Sequence, residues 1–423
     1  MALALGIDVG TSGLRAVVVA TDRRLRVQCC HEYSQGEAAA PPDWPRLWQT
    51  GLRAVLVAVP RELRPQIGAI AVAGTSGTVM LCDGAGMPLT APLFYNDGRA
   101  QAEAKALTAL APAGSPVLSA TSSLAKLLWW RQHLPAEIWQ QGQYFLHQAD
   151  WIGAQLHGHL GISDYHNALK LGYDVGALRY PAWMVSLGLD ALLPQVIAPG
   201  DAISLITPTM ARQFGLPRDC QVCAGTTDSI AAFLASGAYT PGEAVTSLGS
   251  TLVLKLLSQQ RVDDSPFGIY SHRLGDQWLV GGASNAGGAA LRHFFSDEQL
   301  HHLSQRIRPD IPSSLDYYPL MQPGERFPIN DPALSPRLTP RPERDVDFLH
   351  GLLESLARIE ALGYERLQTL GASPLQRVYT AGGGARNQAW TAIRQRIMGC
   401  PVSAAAQTEA AYGAALLALK TLQ

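Results

Sequence analysis

The sequence predicts an α/β protein of two domains, and three observations carry that prediction. A strand–turn–strand unit opens the chain at 5–19, and a unit of the same plan returns at 242–255. Each is followed by apolar strands that stop in glycine, serine or threonine before a helix begins, which is how α/β sheets present their ligand-binding ends. A length of 423 residues leaves room for two or three domains.

Composition narrows the function. A formal net charge of −1 argues against a nucleic-acid binder, which carries a basic surplus. No apolar run reaches the roughly 18 residues that span a bilayer, and the chain enters a strand with no basic leader ahead of it, so neither a membrane nor a signal peptide is expected and the compartment read is the cytoplasm. Six cysteines do not make a disulfide scaffold in so long a chain. Cys220-Gln-Val-Cys223 has redox spacing, but it sits on an expected strand, whereas redox pairs open a helix; two partly buried thiols are the reading.

Taken in order, 5–19 is a hairpin. Asp8 stands where its first strand meets the turn, Gly10 and Gly13 let the backbone bend and let an anion approach, and Thr11 and Ser12 add hydroxyl donors. Successive N–H groups in such a turn can face phosphate oxygens, with one carboxylate beside them to hold hydrated Mg²⁺; an ordinary hairpin with a polar turn fits equally. Neither a Walker A loop nor a G-x-G-x-x-G fingerprint is present. A third strand follows at 25–33, a Pro/Gly/Ala-rich loop at 35–45, and a helix at 44–59 ended by Pro60 and Pro65. The apolar strand 67–73 ends in Gly74-Thr75-Ser76-Gly77-Thr78. Asp97 and Arg99 read as an ion pair, Ser123 to Trp130 as a helix with Lys126 inside it, and Asp150 as the N-cap of the next helix. His157, His159 and His166 show no ligand spacing.

A strand ends again at Val222-Cys223-Ala224, small residues turn, and Asp228 opens an Ala-rich helix. An Asp there is either a cap or a general base. The hairpin at 242–255, with Gly249, Ser250 and Thr251 in its turn, duplicates the first. A Pro-rich loop (309–342) and a long amphipathic helix (345–370) lead to Val378-Tyr-Thr-Ala-Gly382-Gly383-Gly384-Ala-Arg-Asn387-Gln-Ala-Trp390. Bare glycine backbone there can touch a flat ring, with Asn387 and Trp390 three residues apart on one helix face; a tight strand–helix turn is the alternative. A small-residue helix from 409 is expected to cross back to the first domain.

In this order the motifs resemble the FGGY carbohydrate kinases of the actin–hexokinase superfamily, from residue 5 to about 415. The first phosphate motif is matched by 5–19, the first family signature by Ser123-Leu-Ala-Lys126-Leu-Leu-Trp129, the Gly-x-x-Asp motif by Gly225–Asp228, the second phosphate motif by 242–255 and the adenosine motif by 378–390. The resemblance implies two actin-like (ribonuclease H-like) domains, each a mixed five-stranded sheet, with an interdomain cleft: a sugar-binding domain at 1–229 plus the helix at about 405–423, and an ATP-binding domain at 230–404. It implies ATP and Mg²⁺, with Thr11, Ser12, Gly13, Gly249, Ser250 and Thr251 at the phosphates and Gly383, Gly384, Asn387 and Trp390 at the nucleoside. Asp8 would hold Mg²⁺ or touch the sugar, Thr75 and Ser76 would line the sugar pocket, and Asp228 would be the base. Ser76 and Gly77 depart from the larger polar residues usual in the family. With the short chain, they resemble the xylulose-kinase-like branch of the family, some of whose members act on D-ribulose; that resemblance implies a ketopentose, D-ribulose first and D-xylulose second, handled by a monomer or homodimer. Two other readings stand beside it: a non-kinase ATPase of the superfamily, and a degenerate sugar-binding protein.

Overall fold

The computed structural model describes residues 2–33 and 43–423, so the expected loop at 35–45 lies almost wholly outside the described residues. The chain divides into two compact units: Met1–Ala235 with Glu409–Gln423, and Ser236–Thr408.

In the first unit, β1 (Leu3–Val9) and β2 (Gly13–Ala20) form the opening hairpin, β3 (Leu25–Glu32) pairs with β2, and β4 (Ile67–Gly74) lies parallel to β1. Two short ladders stand apart, β5 (Val79–Cys82) with β6 (Tyr144–His147) and β7 (Ile162–Asp164) with β8 (Gln195–Ile197). β9 (Ala202–Leu205) and β10 (Gln221–Cys223) extend the main sheet to the order β3-β2-β1-β4-β10-β9, and β11 (Thr226–Thr227) adds to β4. Strand periodicity sorts the core. Leu3, Leu5, Ile7 and Val9 face a cluster that includes Trp48, Leu52 and Val55 of the helix Trp44–Ala58. Ala4 faces the opposite cluster, built on the helix Ala410–Leu419. A sheet covered on both faces reads as a continuous apolar run, and all seven residues of β1 are buried.

The second unit repeats the plan with β12 (Glu243–Leu248), β13 (Leu252–Ser258), β14 (His272–Leu274), β15 (Gln277–Ser284), β16 (Arg377–Ala381) and β17 (Val402–Ala404), in the order β14-β15-β13-β12-β16-β17. The run β15-β13-β12-β16-β17 has the pairing senses of β3-β2-β1-β4-β10. Each sheet exceeds the five strands expected, because β9, β11 and β14 are two- to four-residue edges too short to be read from alternation. The helix Asp345–Thr369 lays Val346, Leu349, Leu352, Leu353 and Leu356 on this sheet. Inside it, Arg394 and Glu360 form a buried two-pronged pair at 2.6 and 2.7 Å, and Arg394 also donates to Thr380; with every arm engaged, the charges are compensated.

Asp150 is not the N-cap of its helix. His147 is, and Asp150 closes a capping box from the third position, accepting from the His147 backbone N–H and ring. Cys220 and Cys223 are buried free thiols, pushed up to about 12 and about 11, chiefly by burial. Among the described residues no helix is long and apolar enough to cross a membrane.

Candidate active site

In the first unit, β1, β4 and β11 run parallel. Their register sets Asp8 and Thr226 on either side of Ala73, and Thr227 beside Gly74. Asp8, the Gly74–Thr78 turn and Asp228, the residue after Thr227, therefore emerge at the same end of three neighbouring strands, the C-terminal end at which α/β sheets hold ligands. The hairpin turn beside Asp8 exposes Thr11 and Ser12, and Gly10 N–H donates to Gly13 O at 3.0 Å. Gly13 is there for packing: a Cβ would strike the His31 backbone of β3.

Asp8 is 6% exposed. Its Oδ2 lies 3.7 Å from Arg15 Nη1, and Arg15 Nε lies 3.6 Å from Glu409 Oε2. Its Oδ1 is buried without a hydrogen-bond partner among the described residues. Burial, then the neighbouring Asp228, push the Asp8 carboxyl up to about 7, against the pull of Arg15. A buried carboxylate oxygen without a protein donor, near a second carboxylate, suits a hydrated divalent cation. Among the described residues no group of three acidic, His or Cys side chains gathers to ligate an ion alone, so water and substrate oxygens would complete its shell.

The pH dependence has a definite sign. A carboxyl whose folded value is raised contributes stability that is fully present below its ordinary 3.8 and is lost as pH rises through about 7. Asp8→Asn should therefore flatten the fall in melting temperature between pH 5 and 8 measured without added cation. A variant whose slope matched the wild type would show that Asp8 is not held this way.

Around the sugar-side turn, the structure corrects one expectation. Thr75 is spent internally: its N–H and hydroxyl donate to Gln148 Oε1 at 2.9 and 2.8 Å, and its Oγ1 lies 2.6 Å from Thr78 Oγ1. A buried hydroxyl satisfies itself locally, so Thr75 shapes the turn rather than facing the pocket. Ser76 is half-buried. Lys126 is fully buried and its ammonium donates to Gly77 O at 2.8 Å and to Phe94 O, tying the turn to the segment before Asp97. Asp97 and Arg99 form the expected pair at 2.8 Å, with the guanidinium over Trp129. Asp228 opens the helix Asp228–Ala235, and its Oδ1 accepts from Ser229 N–H at 2.6 Å.

In the second unit, Gly249, Ser250 and Thr251 form the β12–β13 turn. Gly288 N–H donates to Gly249 O at 2.9 Å, and a Cβ on Gly287 would meet Ser250 O at 2.6 Å, so the helix Gly288–Phe294 starts against the turn. Arg292, on that helix, donates to Ser250 Oγ at 3.0 Å. This places a cation at the hydroxyl expected to meet phosphate. Sequence reading missed it, because the contact joins residues 42 apart.

The glycine-rich turn after β16 overturns two side-chain roles. Asn387 is the N-cap of the helix Gln388–Met398: its Oδ1 accepts from Trp390 N–H at 3.0 Å and its amide donates to Ser304 Oγ at 2.8 Å. Trp390 is 3% exposed and belongs to the core; a Cβ on Gly384 would meet its ring at 2.7 Å. Tryptophan's large apolar area favours the core over display, so Trp390 props the turn from beneath instead of stacking on a base. Gly383 is exposed and open around its Cα. From this turn a groove of about 770 Å³ runs along the outer face of the helix, lined by Ala385, Gln388, Thr391, Gln395 and Pro401, and Gln388 offers it an amide.

Comparison with known proteins identifies the family. Models of the FGGY family of carbohydrate kinases match residues 3–235 (N-terminal domain) and 244–422 (C-terminal domain). Xylulose kinase of Bacillus subtilis (strain 168) is 24% identical over 99% of this chain and 88% of its own. Xylulose kinase of Streptomyces coelicolor is 27% identical over 95% and 84%. The crystal structure of xylulose kinase from Rhodospirillum rubrum superposes with a TM-score of 0.84 at 23% identity, covering 100% of this chain and 90% of that one.

Proposed function

The chain belongs to the FGGY family of carbohydrate kinases and is a phosphotransferase with an alcohol acceptor; from that premise we propose that it uses ATP to phosphorylate the terminal hydroxyl of a ketopentose, D-ribulose first and D-xylulose second. The observation that carries the reading is the pair Asp8 and Asp228, one at the end of β1 and one just past β11, on either side of β4 and close enough for Asp228 to raise the Asp8 carboxyl.

Asp228 accepts the proton of the attacking hydroxyl, which a positioned carboxylate does for a gain of about 10²–10⁴. Ser76 and Gly77 leave the pocket room for a compact sugar. Thr11 and Ser12 orient the γ-phosphoryl group, Ser250 with Arg292 meets the other phosphates, and Gly383 and Gly384 offer bare backbone to the nucleoside beside Gln388. Asp8 would hold Mg²⁺ through its unpartnered oxygen; the ion's chemistry would be neutralisation of phosphate charge. The first unit is read as sugar-binding and the second as nucleotide-binding.

Turnover on D-ribulose, D-xylulose, L-ribulose, gluconate and glycerol tests the substrate. D-Ribulose is expected to give the highest kcat/KM and D-xylulose the next. A preference for glycerol or gluconate would overturn the ketopentose reading while leaving the kinase intact.

A further inference from the structure

Gly77 has a positive φ of 81°, a conformation that disfavours a side chain, so the sugar-side turn presents no functional group at that position. The space beside it is approached from elsewhere. A Cβ at 77 would lie 3.7 Å from Lys170 Cδ, so the aliphatic stem of Lys170 runs past this glycine from 93 residues further along the chain.

Local structure holds Lys170 there. Asp164 accepts from the backbone of His166 and Asn167 at 2.8 and 3.1 Å, starting the short helix Tyr165–Ala168. His166 Nδ1 lies 2.7 Å from Thr226 Oγ1, which ties that helix to β11, two residues before Asp228. The next turn, Leu169–Leu171, buries its two leucines and leaves Lys170 between them half-buried. Burial lowers the Lys170 ammonium from its usual value, and the nearby Asp228 carboxylate pulls it back up; Lys126, which holds Gly77 O, is close enough to feel the Lys170 charge.

We propose that Lys170 is a substrate-binding residue of the sugar subsite, donating from its ammonium to a hydroxyl or carbonyl oxygen of the sugar held against Gly77 and Asp228. The assignment rests on the sugar-kinase reading and deepens it. An ammonium has three donors and no acceptor, which suits the oxygens of a polyhydroxy ketone. Its place opposite a bare glycine lets a long cation from a distant turn supply the polar contact that this turn lacks.

Lys170→Met keeps the stem and removes the ammonium. The variant is expected to raise KM for the preferred pentulose about 10- to 100-fold, the worth of one hydrogen bond from a charged donor, with KM for ATP within about twofold and the melting temperature unchanged. Lys170→Arg should recover part of the sugar affinity. A KM for sugar unchanged in Lys170→Met would overturn the proposal, and so would a parallel rise in both KM values with a lower melting temperature, which would mark a structural role. Calorimetric titration with D-ribulose separates this from the kinase reading. Wild-type protein that binds D-ribulose but turns over no sugar would sink the kinase assignment. Lys170 is then judged by binding alone: tenfold weaker binding in Lys170→Met upholds it, and equal binding rejects it.

Discussion

Asp228→Asn is expected to lower sugar phosphorylation by about 10²–10⁴-fold while ATP binding and the melting temperature stay near wild type. Asparagine keeps the oxygen that accepts from Ser229 N–H, so the start of the helix Asp228–Ala235 is expected to survive while the proton-accepting charge is lost. The change also relieves Asp8 of a like charge that raises its carboxyl, so the residual activity should keep its acid limb at lower pH than the wild type. ATP affinity by titration and product formation by a coupled assay give the two readouts. Retention of more than about a tenth of the wild-type rate would remove Asp228 from the role of base, and loss of ATP binding alongside turnover would point to a damaged fold.

Gly413→Ala should be the most damaging single methyl in the first unit. The helix Ala410–Leu419 packs so closely on β1 and on the helix Asp228–Ala235 that a Cβ at Gly413 would collide with the Ala231 backbone carbonyl, and one at Gly6 would collide with the backbone of Ala411 and Ala415. Backbone cannot give way as a flexible side chain does, so the overpacking cost is expected at about 3 kcal/mol. For a unit of this size that lowers the melting temperature by roughly 6–12 °C. Gly383→Ala is the control: no atom lies within 4 Å of its Cβ position, and stability should move by less than about 0.5 kcal/mol. A Gly413→Ala protein that melts with the wild type would mean the helix Ala410–Leu419 can shift against the helix Asp228–Ala235.

The parts legible in the sequence are those in which a local stretch carries its own constraint. Both hairpins could be placed from β-branched runs around Gly/Ser/Thr turns, and the helix Asp345–Thr369 from its apolar period, because neighbours a few residues apart set those structures. Asp8 and Asp228 were legible as candidates because a carboxylate at a strand end beside small residues is a local pattern. Thr75, Asn387 and Trp390 were misjudged for the opposite reason. Thr75 answers to Gln148, Asn387 to Ser304, and Trp390 to the underside of Gly384, and partners that far along the chain leave no trace in a short window. Lys170 beside Gly77 and Arg292 beside Ser250 belong to the same class: polar residues whose meaning comes from what folding sets against them.

Because residues 409–423 complete the first unit, its order of assembly is not its order of synthesis. A nascent chain that has emerged to Ala235 has every strand of the first sheet but nothing to cover Ala4, Val17, Val19, Ala69 and Ala71, which bury against the last helix. That apolar face must wait through the making of the whole second unit. The hairpin that opens the chain is thus sealed only once residues 409–423 have been made, and with them Glu409, which completes the surroundings of Arg15 and Asp8.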